Sequence, residues 1–235
     1  MFFYRFAQFF ERWLSQHWQM LLLFVLGFYV PLLIFVWLAT QIWKLEGGLD
    51  WDVSILMAVH ATAQARLDAI AATLTDFATV WGVAPVSIVL PFVLLYQRRW
   101  RSLIYFMITM LGCGVINVVA KLLLHRVRPS LWDYPALSDF SFPSGHAMSS
   151  MILVAALVVL SWGSRWCSWI AALGSVFVIA IGWTRLYLGV HYPSDIVAGW
   201  MVAIAWAVGM SLVVKPHRVK SEPADGTIDN RLDQT

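Results

Sequence analysis

Six apolar runs, near 20–43, 77–96, 102–124, 146–162, 166–187 and 195–214, alternate with polar connections. Each is close to the roughly 20 apolar residues that a bilayer-spanning helix needs, so the pattern predicts an all-α membrane protein with six transmembrane helices. Ahead of the first run, residues 1–19 are aromatic but interrupted by Arg5, Glu11 and Arg12. That mixture suits an amphipathic helix lying in the interface better than a cleavable signal peptide. Between the first and second runs, Lys44 to Asp76 sets Glu46, Asp50, Asp52, Asp68 and Asp76 against Lys44 and Arg66. Within this acidic connection Val53, Leu56, Met57, His60, Leu67, Ile70 and Leu74 recur at helical spacing, which predicts a helix packed on the bundle or lying on the membrane surface. His60 on that stripe reads as a packed histidine rather than a ligand. Residues 215–235 are polar almost throughout and are expected to form a disordered cytoplasmic tail, since they bury too little apolar surface to offset the entropy of folding. The chain thus divides into an interfacial segment at 1–19, a six-span domain at 20–214 and the tail.

Composition agrees. Of 235 residues, 60% are hydrophobic and 12% charged, and the mean hydropathy is +0.73, outside the balance of soluble domains. The pI near 9.0 does not imply nucleic acid, because the basic residues sit in short connections around the spans. With alternating spans, ten of the sixteen Lys and Arg fall on the side of the N-terminus, the Arg98–Arg101 turn, Arg165 and the tail, and six on the other. The excess places both termini in the cytoplasm. Trp18, Trp43, Trp51, Trp100, Trp162 and Trp166 mark span ends, as an aromatic belt does. Cys113 and Cys167 lie within spans at different depths, so no disulfide is expected. Nucleotide-binding glycine loops and Cys/His clusters at zinc spacing are absent from the sequence, and no metal or cofactor is implied.

Polar chemistry gathers on the side opposite the termini, where the third and fifth spans end and the fourth and sixth begin. In the connection from Thr184 to Asp195, Arg185, His191 and Asp195 interrupt apolar sequence. Pro193 suits the first position of a helix. That helix would present free amides and a positive dipole end to an anion, and a carboxylate beside the imidazole would fix its tautomer. By itself the stretch fits equally an Arg185 that snorkels to headgroups and an interfacial His191 with satisfied hydrogen bonds. Lys121, His125, Arg126 and Arg128-Pro129 follow the third span, and Pro143-Ser144-Gly145-His146 precedes the fourth. Lys121 and Arg128 are seven apart and would share a face if the helix persists; Arg128 offers a planar fork of donors and Lys121 a point charge. Pro143-Ser-Gly-His is expected to open a helix, with Gly145 allowing close approach of an oxygen. Three cations, two helix N-termini and two histidines suit phosphoryl transfer, which needs positioning and electrostatic stabilisation.

In order and spacing, Lys121 through Arg128-Pro129, Pro143-Ser-Gly-His146, and Arg185 with His191 and Asp195 resemble the three-part motif of the type 2 phosphatidic acid phosphatase family of membrane lipid phosphatases, and are similar also to vanadium haloperoxidases. The resemblance covers roughly 50–214. Thr184 stands where the family usually has Ser. The resemblance implies that His191 attacks phosphorus to form a phosphohistidine, with Asp195 orienting its ring. It implies that His146 protonates the leaving oxygen and that Lys121, Arg128, Ser144, Gly145 and Arg185 hold the phosphoryl oxygens, without a metal. His125 and Arg126 match no family position and are expected to contact headgroups or to support the site from behind.

The expected protein is an inner-membrane phosphatase with its site at the outer face, acting on a lipid phosphate or diphosphate. Undecaprenyl diphosphate is the favoured substrate, with phosphatidylglycerophosphate or phosphatidate next. A lipid phosphotransferase using the same intermediate, or a transporter that only binds lipid phosphate, are the rival readings; transporters usually hold substrate near the midplane rather than at span ends.

Overall fold

A computed structural model describes residues 2–44, 49–129 and 139–217. Among the described residues the chain is helical throughout, with no strand. The expected tail from 218 onward, and Glu46, lie outside them.

α1 (Phe2–Phe24) and α2 (Val30–Lys44) form one rod, joined by a π-helical turn at Val25–Tyr29 in which Val30 N–H reaches back to the Val25 carbonyl. The cause lies at Pro31, which has no N–H to give the fourth residue back and whose ring crowds that carbonyl, so the preceding turn widens. No break marks the boundary expected after residue 19, because no Pro or Gly occurs before Gly27.

The single apolar stripe in the acidic connection resolves into two helices, α3 (Asp50–His60) and α4 (Ala65–Thr75). Tyr187 pins the break. Its hydroxyl accepts the Gln64 N–H at 2.9 Å and donates to Asp68 Oδ1 at 2.6 Å. A 3₁₀ turn (Asp76–Ala78) then leads into α5 (Val83–Tyr96), which starts later than the apolar run because the chain folds tightly at 79–82. Gly82 permits this: a Cβ there would lie 2.2 Å from the Phe77 carbonyl oxygen.

α6 (Trp100–Leu124), α7 (Gly145–Leu160), α8 (Cys167–Tyr187) and α9 (Pro193–Val214) complete the bundle. α7 is central, packed on α6, α8 and α9, with α2 along the far side of α9 and α4 against α8. Small residues line part of the bundle face, beside buried Tyr105, Phe106 and Ile152. Leu111, Val115, Val118 and Leu122 of α6, and Leu173, Val176 and Ile179 of α8, are exposed at helical spacing, whereas Ala147 and Ala156 of α7 and Ala198, Ala203, Ala205 and Ala207 of α9 are buried. Lipid tails are as apolar as leucine, so close approach through small residues drives helix association. At Gly199 a Cβ would stand 3.1 Å from the Ser144 carbonyl oxygen and 3.3 Å from the Ala147 Cβ, so that glycine sets how near α9 comes to the first turn of α7.

Five helical stretches among the described residues, Glu11–Lys44, Ala65–Tyr96, Trp100–Leu124, Cys167–Tyr187 and Pro193–Val214, are long and apolar enough to cross a membrane, and Gly145–Leu160 is a shorter apolar helix. The chain is a multi-pass membrane protein. Cys113 and Cys167 are both free.

Candidate active site

The end of α6, both ends of the α8–α9 connection and the start of α7 meet at one end of the bundle. α6 stops at Leu124 because His125 turns left-handed (φ 47°), its N–H closing on the Lys121 carbonyl at 3.2 Å. The helix therefore does not persist to Arg128, and two helical turns are not what brings Lys121 and Arg128 together. They converge instead on Asp139: Lys121 pairs with its carboxylate, as does Arg128 Nη2 at 2.6 Å, while Arg128 Nε donates to the Asp139 carbonyl at 2.9 Å. Partial burial would raise the Asp139 pKa, but hydrogen bonds and charge from Lys121 and Arg128 prevail and hold it at about 2. A carboxylate thus occupies cations that suit a phosphate.

Two helix N-termini face the same place. Ser144 caps α7, its Oγ accepting the Ala147 N–H at 3.4 Å, and its own N–H donates to the Asp195 carbonyl at 3.1 Å, tying the start of α7 to the first turn of α9. α9 opens with Pro193 at its first position, and the Asp195 carboxylate accepts the Tyr192 N–H at 2.9 Å, the reciprocal contact that satisfies an orphan helix donor. Both helix starts fall where the Pro143-Ser-Gly-His and Tyr192-Pro193 sequences predict. Gly145 has only an ordinary contact, with Asn117 Oδ1 3.4 Å from where its Cβ would be. Asn117 Nδ2 in turn donates to the Pro143 carbonyl at 3.1 Å.

His191 is 1% exposed. Its Nε2 lies 3.0 Å from Arg128 Nη1 and its Nδ1 lies 3.3 Å from Asp195 Oδ2. A guanidinium has only donors, so Nε2 must accept, and the ring proton sits on Nδ1, where it donates to Asp195. Burial is the main force lowering the His191 pKa; Asp195 opposes it through hydrogen bond and charge, Arg185 and Arg128 add to it, and the result is about 4. At neutral pH the ring is uncharged, with its Nε2 lone pair turned towards the cations. Arg185, 3% exposed, donates from Nη1 to Thr75 Oγ1 at 2.8 Å. His146, in the first turn of α7, lies within the field of Arg185, His191, Arg128 and Lys121. All eight residues singled out in the sequence are thereby brought to one place.

Several participants were not legible in the pattern. Arg126, expected at headgroups or behind the site, is 7% exposed and buried behind it: Nη1 donates to Asp195 Oδ1 at 2.5 Å and to Ser194 Oγ at 2.7 Å, and Nη2 to Asp52 Oδ2 at 2.7 Å. Asp52, fully buried, also accepts the Ser194 N–H at 2.8 Å and its hydroxyl at 2.5 Å. Breaking such a buried ion pair from one side costs about 3–5 kcal/mol. Asp52 read as one acid among five; the available signal was its place four residues before Leu56, on the stripe α3 buries. Thr75 and Asp139 carried no such signal. His125 packs edge-on to Phe140, ring centres 4.6 Å apart. A separate apolar cavity of about 400 Å³, lined by Leu23, Val159, Trp162, Val208 and Leu212 among others, lies towards the opposite end of α9 and contains none of these groups.

The chain is similar to known proteins in sequence and in fold. The undecaprenyl-diphosphatase of Sulfolobus acidocaldarius is 26% identical over 80% of this chain and 91% of its own length. The phosphatidylglycerophosphatase B of Bacillus subtilis is 30% identical over 46% of this chain and 56% of its own. The crystal structure of a transmembrane PAP2 type phosphatidylglycerolphosphate phosphatase from Bacillus subtilis superposes with a TM-score of 0.72 at 21% identity, covering 81% of this chain and 96% of that one, and so shares its fold. Residues 101–218, which carry every cation and both histidines of the site, match the PAP2 superfamily, and the chain belongs to that superfamily.

Proposed function

We propose that the protein hydrolyses a lipid phosphate or diphosphate through a phosphohistidine on His191. One observation carries the reading: His191 presents an unprotonated Nε2 to Arg128 while its Nδ1–H is held by Asp195. The nucleophile is poised before substrate arrives. In the first step the Nε2 lone pair forms a bond to phosphorus, the bond to the leaving oxygen breaks, and His146 supplies that oxygen with a proton. Asp195 balances the positive charge that develops on the ring. Lys121, Arg128 and Arg185, with the Ser144 hydroxyl and the Gly145 amide, take the phosphoryl oxygens, so Arg128 passes from Nε2 to the substrate. In the second step His146 accepts a proton from water, which attacks phosphorus and breaks the P–N bond, releasing inorganic phosphate and neutral His191. Fixed cations neutralise the phosphoryl group, so turnover is expected to survive EDTA.

Among substrates, undecaprenyl diphosphate is favoured and phosphatidylglycerophosphate or phosphatidate follow, in keeping with the names of the two relatives. The proposed topology is six spans with α7 as the short one, 1–19 at the interface, both termini cytoplasmic in a bacterial inner membrane, and the site at the outer face. Support for the orientation comes from the charge asymmetry.

The test is rapid quenching into alkali with a ³²P-labelled substrate, which preserves phosphohistidine. Wild-type protein should yield a labelled, acid-labile adduct and His191→Ala none; a labelled protein in the variant overturns the assignment. Turnover on the three lipids then ranks the substrates. A reporter fused after Lys215 that is exported would invert the topology.

A further inference from the structure

The His191–Asp195 pair is gripped at both ends. Arg128 meets the far nitrogen of the ring, and Arg126 meets the far oxygen of the carboxylate. The two arginines do different work. Arg128 shares Asp139 with Lys121 and is partly open to the site, whereas Arg126 is sealed between α3 and α9, with its guanidinium 4.1 Å from the Tyr192 ring centre. The hydrogen bonds of the Arg126 side chain run to Asp52, Ser194 and Asp195, away from the phosphate-binding cations. The backbone puts it there: after the left-handed His125 the chain leaves the helix, and Ser141 N–H donates to the Arg126 carbonyl at 2.9 Å.

We propose that Arg126, itself held by Asp52, is a positioning residue for the nucleophile: it fixes one oxygen of Asp195 so that the other meets His191 Nδ1, and it does not touch the phosphoryl group. A carboxylate gripped on one oxygen alone can rotate about its χ2 bond, which is broad and only two-fold; gripped on both, it holds the imidazole in one plane. Asp52 supplies the second half of the clamp. Its two oxygens take Arg126, the Ser194 hydroxyl and the Ser194 N–H, so α3 from the acidic connection acts on the chemistry through Arg126 and the first turn of α9. This inference rests on the phosphohistidine reading above.

The experiment compares Arg126→Gln, Arg126→Lys and Asp52→Asn as purified full-length protein in detergent, with wild type quenched in parallel. Misplacement of a reacting group by about 1 Å costs on the order of 10²-fold, so Arg126→Gln should lose about that factor in kcat while KM and inhibition by inorganic phosphate stay within about threefold. Arg126→Lys, which keeps the charge but cannot span both carboxylates, should recover only part. In an Asp195→Asn background Arg126→Gln should cost little more, because both act through one contact. The acid limb of kcat/KM should also rise by about one pH unit in Arg126→Gln. His191 is faced by Asp195 of α9, Arg185 of α8, His146 of α7 and Arg128, and removing Arg126 leaves the Asp195 charge less compensated. A folded Arg126→Gln with kcat within threefold of wild type, or with losses that multiply in the Asp195→Asn background, overturns the proposal. If Arg126→Gln does not fold, the isosteric Asp52→Asn decides: a fall of about tenfold in kcat with unchanged phosphate inhibition supports the clamp, and an unchanged kcat overturns it. A wild type that forms no phosphohistidine refutes the earlier reading instead, so the two failures are distinct.

Discussion

Asp139 holds the two cations that a substrate phosphate must use, so replacing it should tighten phosphate binding. The carboxylate engages Lys121 and Arg128 and is 52% exposed. Exposed ion pairs contribute about 0.2–1 kcal/mol each once solvent screening is counted. Releasing both, as in Asp139→Asn, should therefore favour a competing phosphate by about 0.5–2 kcal/mol, which is roughly 2- to 30-fold at 1.4 kcal/mol per decade. The amide preserves size, and the Arg128 Nε contact survives because it uses the Asp139 backbone carbonyl. The assay is inhibition of lipid-phosphate turnover by inorganic phosphate, in detergent, at about 50 mM and 500 mM salt. At low salt the inhibition constant of Asp139→Asn should fall below that of wild type, and the gap should narrow at high salt, where the Debye length drops to a few ångströms. Product release should slow accordingly. An inhibition constant that is unchanged or higher at low salt would show that Asp139 organises the cations rather than competing for them.

Arg128→Lys should lower kcat/KM by at least tenfold on any lipid phosphate, because the charge remains but the fork that reaches both Asp139 and His191 is lost; near-wild-type turnover would mean that only charge matters. His146→Ala should cost phosphatidate hydrolysis about 10²–10⁴-fold and diphosphate hydrolysis far less, since a diphosphate expels a phosphate whose last proton has a pKa near 6; equal losses on both would assign His146 to binding. The depressed pKa of His191 links to stability. The native state binds fewer protons than the unfolded one between the ordinary value of 6.5 and about 4, so this contribution is full above pH 6.5 and is lost as pH falls towards 4. Thermal unfolding between pH 7 and 4 should accordingly be less pH-dependent in His191→Gln than in wild type; an identical slope would contradict the burial argument.

Membrane class, the apolar runs and the gathering of the eight candidates at one end of the bundle were readable from sequence because each rests on local chemistry. A run of apolar residues fixes a span whatever it packs against. Ser144 before Gly145, and Pro193 after Tyr192, fix where helices start. Charge beside apolar sequence marks Arg185, His191 and Asp195 because charge in oil is costly. Tertiary structure decided what those rules do not reach. Lys121 and Arg128 share a face through the left-handed turn at His125 and the distant Asp139, not through helical period. Asp52 is one of five acids in its segment; its place four residues before Leu56 marks the face that α3 buries, but only the packing of α3 on α9 sets it against Arg126. Arg126 could have met headgroups as readily as carboxylates. The choice depended on a partner more than 70 residues away in sequence, and long-range ion pairing of that kind is set by which helix faces meet, which no window of sequence contains.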